Sequence, residues 1–396
     1  MKAYYAKKII GEDAEYCNAY LIVDNDKIVD IKDSVGDDVE IIDYSNYTIM
    51  PGIFDIHSHG RFGFSSTNKD YDELFGYTKA MAARGVTSMF PAIMYEPGEL
   101  EAVKRIVDVI ERNEAHGARI IGIHAEGPYR AKEYMGASKG REWPEPSKEY
   151  TEKMLEVSKG HMKYISVSTE LPNIFESMEI FKKNGVIIAA GHTGINYEEM
   201  NKAIQAGVKT ITHFGNAIKF IHQRNANAVG AVLLNDDVMI ELICDHCHVC
   251  KETIDIFMRF KDFNKILLIS DSNELAGLPQ GKYFARNKYR FVDEAGNITI
   301  EDGTLSGSGR DILFGVENMV KYHNVSLVDA VKMAGYNQAK LFNCLDTIGS
   351  LKAGKNADFF IMDDSWQVIK TYREGEEIYD IKNKNSLYNP KMIAVN

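Results

Sequence analysis

From residue 53 onward, short apolar runs alternate with polar turns and with stretches whose apolar positions recur at helical spacing. Eight runs read as strands, at residues 53–57, 87–92, 120–125, 164–169, 186–192, 210–214, 239–244 and 266–271. Helical spacing lies between most of them, at 74–84, 100–114, 174–184, 197–205 and 253–260. Three of these helical stretches end in glycine just before the next strand, at Gly85, Gly185 and Gly207. That is the left-handed cap that turns a helix back onto a sheet. Near-continuous apolar strands alternating with helices predict a parallel α/β fold, a (β/α)8 TIM-type barrel. A doubly wound open sheet is the competing arrangement, and eight units favour closure.

The two ends follow another rhythm. Residues 19–23 and 27–31 alternate, as do 357–362 and 366–372, so both ends read as antiparallel strands. They are expected to pair into one small β-sandwich domain, residues 1–50 with 346–396, beside a barrel domain spanning 51–345; two separate edge ribbons are the alternative. The 396-residue chain is 45% hydrophobic, enough for a barrel of about 250 residues and a smaller unit. Its net charge of −11 argues against non-specific nucleic-acid binding and requires any anionic substrate to be met by a local pocket. No run suits a membrane span, and Met1 to Ile10 lacks the apolar core of a signal peptide. Five cysteines without a disulfide-like framework fit a reducing, cytoplasmic setting.

Candidate chemistry collects where the strands end. His57 and His59 stand two apart, so on a strand they share a face and could share a metal ion. Glu126, His192, His213 and Asp271 fall at four later strand exits. In a barrel of this kind catalytic groups sit at the C-terminal ends of strands, and imidazoles with carboxylates gathered there point to metal. This donor set suits Zn²⁺ or Fe²⁺ rather than Mg²⁺. His124 faces the same side as Glu126 and reads as a core histidine. Asp271 reads as a proton acceptor, with a further ligand or a helix cap as alternatives.

The ordered motifs His57-Ser58-His59, Ala125-Glu126-Gly127-Pro128, Gly191-His192-Thr193, Thr212-His213 with Asn216-Ala217, and Asp271 resemble the amidohydrolase superfamily. More narrowly, they are similar to N-acetylglucosamine-6-phosphate deacetylases. That resemblance implies Glu126, His192 and His213 as ligands of one divalent metal, and His57 and His59 as holders of a second. One or two ions per chain are therefore expected, with Glu126 placed to bridge. Many superfamily members use a carbamylated lysine instead, but here Lys163 stands only at the start of the fourth strand. The resemblance makes Asp271 the catalytic base. It sets Asn216, Ala217, His248 and Ala137 against an amino-sugar phosphate, and Arg224 at the phosphate, reaching across a homodimer. The activity implied is removal of the acetyl group from N-acetylglucosamine 6-phosphate. The alternatives are a same-fold amidohydrolase for N-acetylgalactosamine 6-phosphate or another N-acyl compound, and a catalytically inactive barrel that serves as a binding protein.

This sequence departs from the resembled pattern around the sugar. Gly215 stands before Asn216 where a phenylalanine is usual, Ser138 where a histidine is usual, and the usual Asp-Gly-x-His-Val reads Asp245-His246-Cys247-His248-Val249. Cys244, Cys247 and Cys250 are spaced as for zinc or an iron–sulfur cluster, although Cys244 closing an apolar strand also reads as plain packing. The glycines of residues 303–309 read either as a phosphate cradle or as a loop over the barrel mouth.

Overall fold

The computed structural model describes residues 1–140 and 142–395. The chain opens with strands β1 (Lys2–Ile10), β2 (Glu15–Asp24), β3 (Lys27–Lys32) and β4 (Glu40–Pro51). Eight strands follow, alternating with helices: β5 (Ile53–Ser58), β6 (Val86–Ile93), β7 (Ile123–Glu126), β8 (Met162–Val167), β9 (Ile187–Ala190), β10 (Val208–Ile211), β11 (Met239–Leu242) and β12 (Ile266–Leu268). Each pairs in parallel with the next in sequence. Closure comes at the C-terminal ends of the first and last strands. Ser58 bridges Ser272 in parallel, and the Asp271 and His59 amides donate to the carbonyls of His57 and Ser272 at 2.8 and 2.7 Å. The expected barrel is present, and its seam is fastened by the same residues that carry the candidate chemistry.

Helices α1 (Tyr71–Ala82), α2 (Leu100–Arg112), α3 (Lys148–Ser158), α4 (Ile174–Lys183), α5 (Tyr197–Ala206), α6 (Asn227–Leu233), α7 (Lys251–Phe260) and α8 (Ile312–Tyr322) form where the sequence supplies a face and a stop. In α2 (Leu100–Arg112), Ala102, Val103, Ile106, Val107 and Val109 are buried, and Asn113 ends the helix in a left-handed conformation. In α5 (Tyr197–Ala206), Asn196 and Glu199 close a capping box, and Gly207 with φ 121° turns the chain into β10. Gly85 and Gly185 also have positive φ, as their placement predicts. Two barrel helices carry little readable period. In α3 (Lys148–Ser158) only Thr151, Met154 and Ser158 are buried. In α6 (Asn227–Leu233) every residue is buried, so no polar face alternates with the apolar one.

After β12 the chain makes a three-stranded excursion, β13 (Gly281–Ala285), β14 (Lys288–Val292) and β15 (Ile298–Ile300), before helix α8 (Ile312–Tyr322). It ends with β16 (Phe359–Met362), β17 (Val368–Arg373) and β18 (Glu376–Asp380). The two chain ends form one seven-stranded sheet, ordered β18-β17-β16-β4-β1-β2-β3. Its register lays Phe359 against Pro51 and Phe360 against Met50. The sheet curls over its own core: Tyr4 on β1 meets Tyr372 on β17 at 5.4 Å between ring centroids, although two strands separate them in the sheet. Tyr44 and Tyr372 share a buried hydroxyl–hydroxyl bond of 2.9 Å, which satisfies both polar tips inside that apolar layer. Among the described residues, no helix is long and apolar enough to cross a membrane.

Candidate active site

All six strand-exit residues converge. Glu126 is the last residue of β7, while His192 and His213 each stand two residues beyond β9 and β10. His192 Nε2 lies 3.1 Å and His213 Nε2 3.3 Å from Glu126 Oε1, and the two nitrogens are 3.1 Å apart. The other carboxylate oxygen, Oε2, lies 3.0 Å from His59 Nε2. Asp271 Oδ1 approaches His57 Nε2 at 3.5 Å and His59 Nε2 at 3.6 Å. Glu126 thus meets His192, His213 and, at 3.7 Å, His57 with Oε1, and His59 with Oε2.

The hydrogen positions follow from the partners. His192 Nδ1 is 2.7 Å from the Tyr134 carbonyl, and His213 Nδ1 is 3.2 Å from the Asn216 carbonyl. A carbonyl only accepts, so each Nδ1 carries a hydrogen and each ring turns Nε2 towards the other and towards Glu126. Burial first, and the nearby Arg130 guanidinium second, lower the His192 imidazole to about 4, so it is neutral at pH 7. Lone pairs packed at this range repel unless a cation lies among them. A divalent metal ion supplies that cation, and two imidazoles with a carboxylate are a donor set that suits one.

His57 gives a second, independent sign. Its Nδ1 bonds Glu241 Oε2 at 2.9 Å, while its buried Nε2 has no hydrogen-bond partner. Burial opposes charge on this ring, but Glu241 and Asp271 outweigh it and push His57 up to about 10. The position calls for positive charge at Nε2, which a proton or a metal cation supplies. Glu241 also accepts the backbone N–H of His213 at 2.9 Å, so one carboxylate positions a residue of each donor group. Burial would raise the Glu126 carboxyl, yet the Arg130 guanidinium first, and the close approach of His192, His213 and His59 after it, hold it well below its usual range. The Arg130 Nη2 to Glu126 Oε2 contact is 2.5 Å. His124 is a buried histidine bonded to Ser166 at 2.8 Å, and burial holds it well below its ordinary pKa.

His192, His213 and Asp271 all adopt left-handed backbone conformations, with φ of 51°, 30° and 43°. Such conformations cost non-glycine residues on the order of 1–3 kcal/mol each and cluster where geometry is functional. At the mouth, Gly307 has φ 69°, and a Cβ there would lie 2.8 Å from the Asp271 carbonyl. This close approach lets the residue 303–309 loop lie over the barrel mouth, where Thr304 to Gly307 line the cavity.

That cavity, about 270 Å³, is lined by His59, Glu126, His192, His213 and Asp271, and also by Ala137, Asn216, Ala217 and His248. His248 Nδ1 lies 2.7 Å from Asp245 Oδ2, an ion pair that raises the His248 pKa against the opposing effect of burial. Arg224 is not among the lining residues: it is exposed on the segment before α6. Sequence reasoning missed Glu241, Arg130 and the cationic wall of Arg286 and Arg290, both paired with buried Glu274. Glu241 alone left a signal, as a carboxylate inside an otherwise apolar strand.

A sequence profile described as the amidohydrolase family matches residues 48–389. N-acetylglucosamine-6-phosphate deacetylase of Vibrio furnissii is 28% identical over 333 residues, 84% of this chain and 83% of that protein. The Bacillus subtilis (strain 168) protein of the same name is 27% identical over 387 residues, 96% of this chain and 97% of its own length. The crystal structure of the Thermotoga maritima N-acetylglucosamine-6-phosphate deacetylase superposes with a TM-score of 0.83 at 28% identity, covering 96% of this chain and 99% of that one. With the metal-suited mouth of a parallel barrel and a family match over most of its length, the chain belongs to the amidohydrolase family and is a hydrolase acting on amide bonds.

Proposed function

We propose that this protein hydrolyses the acetamide of N-acetylglucosamine 6-phosphate, releasing glucosamine 6-phosphate and acetate, in a cytoplasmic route of amino-sugar breakdown. The observation that carries this reading is the meeting of Glu126, His192 and His213 with Asp271 in one cavity. The deacetylases similar to this chain over most of its length support the substrate. Glu126, His192 and His213 would hold one divalent ion, zinc or iron, and His57 and His59 would hold a second. Such an ion, when bound, polarises the amide carbonyl and lowers the pKa of water towards about 7.

Asp271 takes the proton from the attacking water and returns it to the departing amine nitrogen. Glu241 holds the His57 ring by its Nδ1–H, so Nε2 stays turned inward. His248, oriented by Asp245, and the Asn216-Ala217 backbone contact the sugar. Arg286 and Arg290 give the cavity the local positive charge that a chain of net charge −11 needs for an anionic substrate. Arg224 reaches the phosphate of a second copy in a homodimer; the exposed side chains of Phe220 and Ile221 beside it suit such a contact. The test measures acetate release from N-acetylglucosamine 6-phosphate, its galacto epimer and both unphosphorylated sugars, alongside metal content. Turnover should be highest on the gluco phosphate. A metal-replete protein inert on it overturns the reading.

A further inference from the structure

Cys244 lies two residues beyond β11, on the face shared by Ile240 and Leu242, which points outward into the layer between barrel and helices. There it meets two imidazoles that play no part in the barrel mouth. His246 Nε2 lies 2.9 Å from His323 Nε2, and the Cys244 thiol and one ring nitrogen of each histidine all lie within 4.8 Å of one another. The cysteine spacing seen in the sequence does not converge: Cys247 and Cys250 are exposed, and only Cys244 enters this group. Its partner from afar is His323, the residue that ends α8.

Three observations favour a ligand here over plain packing. His323 Nδ1 bonds Asp255 Oδ1 at 2.7 Å, so a hydrogen is held at Nδ1 and Nε2 is turned towards His246. A carboxylate behind an imidazole is the arrangement that orients metal-bound histidines. His246 has φ 63°, a left-handed conformation that non-glycine residues seldom adopt, and this turn sets its ring beside His323. Finally, Cys244 and His323 are buried, so a polar cluster here is shielded from water.

We propose that Cys244, His246 and His323 form a second, non-catalytic site for a divalent cation of the zinc class, with water in the fourth position. One thiolate and two imidazoles are a zinc-type donor set, and a coordinated thiol gives up its proton to the metal. Such an ion ties the chain after β11 to the end of α8. That chain carries Asp245, which bonds His248 at 2.7 Å and Ser308 at 2.8 Å, so the ion braces one wall of the cavity from behind. The inference is independent of which amide the barrel hydrolyses.

Cobalt distinguishes the two sites, because the barrel-mouth donors include no sulfur. Purified full-length protein loaded with Co²⁺ should show a near-ultraviolet thiolate-to-cobalt charge-transfer band. Cys244→Ser and His246→Gln should each abolish that band and bind one equivalent less zinc per chain, with the barrel-mouth metal retained. His246 is only partly buried, so its variant should fold even where the cysteine variant does not. Absence of the band in the unaltered protein, or an unchanged zinc count in a folded His246→Gln, overturns the proposal and leaves a histidine–histidine hydrogen bond.

Discussion

Glu241→Gln is the most discriminating single change at the barrel mouth. Glu241 is fully buried on β11, and its Oε2 accepts both His57 Nδ1–H and the His213 N–H at 2.9 Å. Glutamine keeps the shape, and its carbonyl must take the place of Oε2 because both facing groups are donors. The new NH2 then occupies the position of Oε1, which has no partner. An unsatisfied buried donor costs about 1–3 kcal/mol of stability. The larger expected effect is on metal. Losing a carboxylate that orients a ligand histidine weakens affinity about 10–100-fold, which corresponds to about 1.4–2.7 kcal/mol. Glu126 and His192 have their own supports, so the loss should fall on the second ion proposed for His57 and His59. Calorimetric titration of chelator-stripped protein with zinc should show a selectively weakened step, with the tighter step moved far less. Two unchanged steps in a folded variant would refute the assignment of Glu241 as the residue that positions His57.

Asp271→Asn should keep its metal content, measured by elemental analysis, while turnover falls about 10²–10⁴-fold, the range expected for a lost acid–base group; retained turnover removes Asp271 from the proton-transfer role. Arg224→Ala should raise KM for the phosphorylated sugar about 10–100-fold, as for a lost charge-assisted hydrogen bond, and leave an unphosphorylated analogue unaffected in steady-state kinetics. Asp311 pairs with Arg61 at 2.9 Å and Arg84 at 2.7 Å; burial would raise its carboxyl, but Arg84 and Arg61 hold it well below the usual range. A depressed folded-state pKa adds stability above the unfolded value of about 4 and loses it as pH falls. Asp311→Asn should therefore cost about 3 kcal/mol in urea unfolding at pH 7, with the gap to the parent narrowing below about pH 4.

The six strand-exit residues were legible because each is a local event: an imidazole or carboxylate where an apolar run stops. His57 and His59 needed only the two-residue period of a strand to be set on one face, and the structure brings both to Glu126. Helices with one apolar stripe, such as α2, were equally plain, whereas α3 and α6 bury too little or too much of their circumference to show a period. Pairing of the two chain ends was readable from their shared alternation, but the sheet order and the curl that brings Tyr4 to Tyr372 were not.

The sequence by itself determined the alternation of strand and helix, the barrel that this alternation closes into, and the donor types at its mouth. Those follow from periodicity and turn chemistry, which act over a few residues. Only the tertiary structure decided which groups meet: Glu241 behind His57, Arg130 against Glu126, the Arg286 and Arg290 wall, and Cys244 with His246 and His323. Several of these partners come from distant elements, as His57 and Glu241 do, 184 residues apart. Even Arg130, four residues past Glu126, finds that carboxylate only through the turn after β7. Spacing along the chain fixes the face a side chain takes, whereas its partner is fixed by barrel closure and by the packing of helices around it.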